Sequence, residues 1–179
     1  MARPGDEIVN PRTGQRMTFL KTSKDTNGQL LQIDCVSPPS GVKEPEHVHP
    51  LQENRFEIIS GSLMLSMAGQ VRPVNAGDVI SVPPKVPHFF WNGSNEVAHY
   101  IQEFRPALRS EFFFEALFGL ARDGKLNEQG TANPFQMAVF VPIFWNEIRV
   151  TKPPEIIQRI FFGLLRPVGR LLGYRVVQQ

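Results

Sequence analysis

The sequence predicts an antiparallel β sandwich or barrel followed by a helical extension. Three observations predict it. Between residues 47 and 105, turn residues separate short apolar runs at roughly ten-residue spacing, the pattern of a sandwich or barrel. Those runs show no helical period. At Arg105-Pro106 the character changes to longer apolar segments opened by helix-capping residues.

The first forty residues read as short strands. Thr18, Leu20 and Thr22 alternate with Phe19 and Lys21, and Asn27-Gly28 is a turn signal. Leu30 to Val36 alternates Leu31, Ile33 and Cys35 against Gln32, Asp34 and Val36, and Ser37-Pro-Pro-Ser-Gly41 ends the run. Strands are then expected at Arg55–Ile59, Leu63–Met67, Val71–Val74, Val79–Val82, His88–Trp91 and Val97–Phe104. Ser60-Gly61, Ala68-Gly69-Gln70, Asn75-Ala-Gly-Asp78, the stiff Pro83-Pro-Lys-Val-Pro87 and Asn92-Gly-Ser-Asn95 separate them.

Beyond residue 105 three helical segments are expected. Ser110 is placed to N-cap the first, Glu111 to Arg122, with Asp123-Gly124 as its stop. Asn133-Pro134 opens a second, running to about Arg149 with a kink at Pro142. Thr151-Lys-Pro-Pro154 opens a third, Glu155 to about Leu172, with a break at Pro167. In this last segment Ile156, Ile157, Ile160, Phe161, Leu164, Leu165 and Val168 recur at three- and four-residue steps with Arg159, Arg166 and Arg170 between them, an amphipathic helix. The division expected is 1–105 for the barrel and 106–179 for the extension.

The totals narrow the function classes. A net charge of +2 over 179 residues does not suggest nucleic acid as a partner. The single cysteine, Cys35, excludes an intramolecular disulfide and reads as a small hydrophobe. The N-terminal stretch has no apolar core, so no secretory signal is expected and the cytoplasm is the expected location. No apolar run is long enough to span a bilayer. Residues 148–179 hold six basic residues and one acidic, so this tail carries +5 and the remainder −3. Its apolar stripe needs a cover, the barrel or a second copy, and a homodimer is expected; an anionic membrane surface against 155–172 is the less favoured alternative.

The chemistry concentrates in two blocks that hold three of the four histidines. His47 and His49 are two apart, so on a strand both imidazoles face one side. His88 opens another strand after the proline-stiffened loop. Three converging imidazoles suit a divalent transition metal such as Zn, Fe, Ni or Mn, with positions left open for water or a ligand. Phe56, Ile58, Met64 and Phe90 are expected to line the interior as pocket walls. There is no Gly-x-x-x-x-Gly-Lys phosphate loop and no recognisable Ser/His/Asp spacing.

These blocks resemble the two motifs of the cupin superfamily. Gly41, His47, His49 and Gly61 match the first motif, and Gly77, Pro83, His88 and Asn92 match the second. Residues 62–76 suit the inter-motif segment of small single-domain cupins. The resemblance covers about 5–105 and implies a mainly β fold, a double-stranded β-helix or jelly-roll barrel, with His47, His49 and His88 as metal ligands. Two positions depart from it. Lys85 stands where the second motif has glycine. Asn54 falls where the first motif has its glutamate, with Gln52 and Glu53 as alternatives for a fourth donor. An amide is a weaker ligand than a carboxylate and supplies no base. The readings that follow are a metal-dependent oxygenase or isomerase acting on a small organic molecule, a non-catalytic small-molecule sensor, and an interaction protein working through its basic amphipathic tail.

Overall fold

The computed structural model describes residues 2–127 and 130–176. Eleven strands form two antiparallel sheets among these residues. The first sheet orders β1 (Glu7–Val9), β2 (Arg16–Lys21), β3 (Leu31–Ser37), β10 (Ala98–Arg105), β5 (Glu53–Ser60) and β8 (Val79–Val82). The second orders β11 (Arg149–Val150), β4 (His47–Val48), β9 (His88–Trp91), β6 (Ser62–Met67) and β7 (Gln70–Asn75). The two sheets face each other as a double-stranded β-helix.

Alternation decides which side chains fill the space between the sheets. In β3, Leu31, Ile33 and Cys35 are buried; in β5, Asn54, Phe56 and Ile58; in β10, Tyr100, Gln102 and Phe104. Burying each large apolar side chain contributes roughly 1.5–3 kcal/mol. The Ala68-Gly69 pair, φ 50° and 80°, makes the tight turn between β6 and β7 that the sequence marks. At Gly61, φ 69°, an added Cβ would lie 2.4 Å from the carbonyl oxygen of Val97, so the chain passes there only without a side chain.

The extension differs from its sequence reading in several ways. Helix α1 (Ser110–Arg122) begins at Ser110 rather than after it, and Arg109 occupies the cap position. The Ser110 hydroxyl is engaged elsewhere, by the side chain of Gln52. Helix α2 (Pro134–Phe140) is capped by Asn133 as expected, but it ends in a short 3-10 turn (Val141–Ile143) instead of reaching Arg149. Pro142 cannot continue the hydrogen-bond ladder of α2. The chain then returns to the barrel, where β11 pairs antiparallel with β4 and extends its sheet. The extension is therefore not wholly helical.

Helix α3 (Glu155–Leu171) runs unbroken through Pro167. The residue one turn earlier, Gly163, is exposed and has no neighbour near its Cβ direction, so the carbonyl freed by the proline faces water. α3 lies on α2 through Gly169, where a Cβ would sit 2.7 Å from the Phe135 carbonyl oxygen, and its buried Gln158 donates back to Val150 O and Pro153 O. Its apolar stripe does not pack on the barrel. Ile156, Ile160, Leu164 and Leu171 are 64%, 58%, 72% and 88% exposed.

Candidate metal centre

His47 and His88 face each other across the β4–β9 pair, and His49 follows one residue after β4. All three are buried. One ring nitrogen from each lies within 4.8 Å of the others, and the ring centroids are 4.6–5.3 Å apart. The spacing of two places His47 and His49 on one side, and the β4–β9 pairing brings in His88.

Each imidazole is oriented by a main-chain carbonyl. His47 Nδ1 is 2.8 Å from Pro45 O, His49 Nδ1 is 2.6 Å from Glu147 O, and His88 Nδ1 is 3.0 Å from Val86 O. A carbonyl only accepts, so the proton sits on Nδ1 and the Nε2 lone pair is left as the ligating atom. Such carbonyl-anchored imidazoles are the usual outer support of metal-bound histidines. Burial, reinforced for His47 by the neighbouring rings of His49 and His88, drives its pKa well below the ordinary histidine range. Burial and His88 bring His49 down to about 3, and burial lowers His88. The three rings are therefore neutral, as metal ligands must be. Three neutral nitrogen donors converging on one point fit a divalent transition metal.

The fourth position is occupied by Asn54, which is fully buried on the inward face of β5. Its Nδ2 lies 3.4 Å from His88 Nε2, and its Oδ1 accepts from Gln102 Nε2 at 3.2 Å. In this arrangement Asn54 offers the site an N–H, and its oxygen is committed to Gln102. Glu53 lies on the opposite, half-exposed face of β5, in register with Arg105. Gln52 is buried but turned away: its Nε2 donates to Pro106 O, Ala107 O and Ser110 Oγ, pinning the start of α1.

Of the residues expected as pocket walls, Phe90 borders a cavity of about 240 Å³ that reaches His47 and His49. Phe56 and Ile58 lie in the barrel core behind it, with Phe56 4.9 Å from the Phe90 ring. Met64 does not face the interior. Leu63 and Leu65 take the inward positions of β6, so the pleat turns Met64 outward beside Trp91 and Gly93.

The rest of the cavity wall comes from residues not singled out in the sequence: Phe104 on β10, Phe113 and Phe114 on α1, Phe140 and Phe144 around α2. The run Phe112-Phe113-Phe114, more aromatic than one core-facing stripe needs, was the available signal. Glu44, on the loop before β4, also lines the cavity. Its side chain is exposed and opens on the cavity, while the protein packed around that loop pushes its carboxyl up to about 7.

The cupin domain family model matches residues 34–102. Among solved structures, a predicted oxalate decarboxylase from Thermotoga maritima is 20% identical, with a TM-score of 0.51 over 59% of this chain and 98% of its own. An RmlC-like cupin from Shewanella frigidimarina is 22% identical, with a TM-score of 0.49 over 59% of this chain and 87% of its own. None of the curated proteins matches the chain. Fold and family match together define a small cupin-superfamily domain, followed here by an extension that closes over one end of its barrel.

Proposed function

We propose that this cupin binds one divalent transition metal, Zn, Fe, Ni or Mn, through His47, His49 and His88, and holds a small organic ligand beside it. The observation that carries this reading is the set of three buried rings, each fixed at Nδ1 by a carbonyl, with ligating nitrogens within 4.8 Å. Within it, the reaction class we favour is that of an oxygenase or isomerase. A metal bound there would supply Lewis acidity toward a ligand oxygen. The chain's own part is to hold three neutral imidazoles rigidly, to keep Asn54 beside His88, and to exclude bulk water through the aromatic wall. Elemental analysis of protein purified without added metal tests the reading. Stoichiometric transition metal that disappears in His88→Ala is expected; no metal in either protein would sink it.

A second reading, an interaction role for the tail, is favoured by the bare face of α3. Ile156, Ile157, Ile160, Phe161, Leu164 and Leu171 are all exposed along about 25 Å of helix. No helix among the described residues is long and apolar enough to cross a membrane. An antiparallel self-pair centred between Leu164 and Leu165 would set each Arg159 against an Arg170, and the tail's one acidic residue, Glu155, already pairs with Arg149 and Arg159. The occupant we favour is therefore an anionic lipid surface, with the helix lying in its plane. Flotation with phosphatidylserine vesicles, lost in Leu164→Asp, is expected. A stable homodimer that never floats would overturn this reading in favour of a second copy as the cover.

A further inference from the structure

The cavity beside the histidines is divided chemically, and that division specifies what it takes. One wall is a continuous chain of aromatic rings leading away from the metal centre. His49 is 5.2 Å from Phe104, Phe104 is 5.6 Å from Phe114, Phe114 is 5.3 Å from Phe113, and Phe113 is 5.4 Å from Phe144. These rings come from β10, α1 and the turn after α2, so the chamber exists only because the extension folds back over the barrel. Phe113 and Phe114 are only half-buried although they sit among other aromatic rings. Their remaining surface faces the open cavity rather than filling it.

The polar end is different. Glu44 lines the same cavity and, among the described residues, takes no hydrogen bond and no ion pair. Tyr100, close enough to feel its charge, is already committed to Gln15 at 2.9 Å and Ser37 at 3.2 Å. The Glu44 side chain is exposed and lines the open cavity, so its carboxyl is free to accept from a donor on a ligand seated there.

We infer that the ligand of this site is an amphipathic small molecule: a compact apolar or aromatic body seated against Phe104, Phe113, Phe114 and Phe144, and a head group with a hydrogen-bond donor, a hydroxyl or an amine, held by Glu44. The assignment rests on the ligand-binding reading above and names the substrate class for it. It also places a carboxyl in the cavity of a cupin whose motif glutamate is the amide Asn54. Glu44 is on this account a positioning residue for the ligand head.

A matched series tests it. Naphthalene, 1-naphthalenemethanol and 1-naphthylmethylamine share a body and differ in the head, and their binding to the purified protein is followed by fluorescence. All three are expected to bind, the two donors about tenfold tighter than naphthalene, the factor expected of one added hydrogen bond. Glu44→Ala, which removes the acceptor altogether, should remove most of that tenfold increment and leave naphthalene unchanged. Val141→Trp, which fills the chamber from its wall, should weaken all three at least tenfold, with Met137→Trp as the second filling variant should the first not fold. Metal content is measured in parallel. Metal present with no binding of the naphthalene body overturns the inference and leaves the metal reading standing. Binding with no metal overturns the metal reading alone. A donor increment that survives Glu44→Ala removes Glu44 from the account.

Discussion

The Nδ1 of His49 donates to the carbonyl oxygen of Glu147, 98 residues further along the chain, at 2.6 Å. One of the three candidate ligands of the barrel is thus aimed by the extension. The turn that carries Glu147 is in turn held by Arg109, whose guanidinium donates to Ile143 O and to the Glu147 carboxylate at 3.4 Å.

The first prediction follows from that clamp. Arg109→Ala should loosen the turn and leave the buried Glu147 carboxylate unpaired by Arg109, lowering stability by about 1–3 kcal/mol. It should also weaken metal affinity by about tenfold, as loss of an outer support typically does. Titration of metal-free protein against a competing chelator reads the second effect. Unchanged affinity would mean that the turn does not set the His49 ring.

Asn54→Glu should act in opposite directions with and without metal. A carboxylate in this fully buried position has no cation to face in the metal-free protein, and its melting temperature should fall. With metal present it becomes a fourth, anionic donor, and affinity should rise at least tenfold. Thermal melts with and without zinc check both signs.

The pH dependence follows from the lowered histidine pKa values. An ordinary imidazole, near 6.5, would begin to lose its metal to protons below that pH. These three, held lower, should keep metal affinity nearly flat from about pH 8 to 6, with little proton release in calorimetry. For folding the sign is the depressed-histidine one. The unfolded chain takes up protons first, so their contribution is fully present above about 6.5 and is lost as pH falls toward the folded-state values. Urea unfolding of the metal-free protein at stepped pH measures it, and a steep fall in metal affinity between pH 7 and 6 would contradict the assignment.

Gly61→Ala should destabilise the barrel by about 2 kcal/mol or more, since the methyl group meets the Val97 carbonyl at 2.4 Å in a backbone conformation that already disfavours it. Gly77→Ala, at φ 91° but with open space around its Cβ, should cost less because only the backbone term remains. Equal losses in chemical denaturation would show that the close approach to Val97 adds nothing.

Much of the barrel was legible because its determinants are local. Alternation set the inward faces of β3 and β5, and His47 and His49 declared their common side by a spacing of two. The Lys85 departure also resolves physically: Lys85 takes φ 67°, the conformation a glycine would use, and its N–H bonds His49 O at 2.9 Å, so the loop keeps its path with strain in place of a residue change. What stayed hidden depends on distant partners. Nothing local in Arg149-Val150 announces pairing with Val48 and His47. Met64 was misplaced because an isolated apolar residue in a strand with apolar neighbours on both faces does not declare its side; Leu63 and Leu65 decided it by being inside. The aromatic chamber needs α1 and the turn after α2 to meet over the barrel, which no single segment encodes.

Strand β11 lends this architecture a chronology. A ribosome making the chain releases the two histidine-bearing blocks well before Glu147 and Val150. At about 5–20 residues per second, the His49 ring waits on the order of ten seconds for the carbonyl that aims it and the edge strand that closes beside His47. During that interval the nascent barrel holds its imidazoles without a finished coordination geometry and its apolar mouth without a cover. The finished arrangement of the three candidate ligands is thereby placed after the extension has been made and has docked.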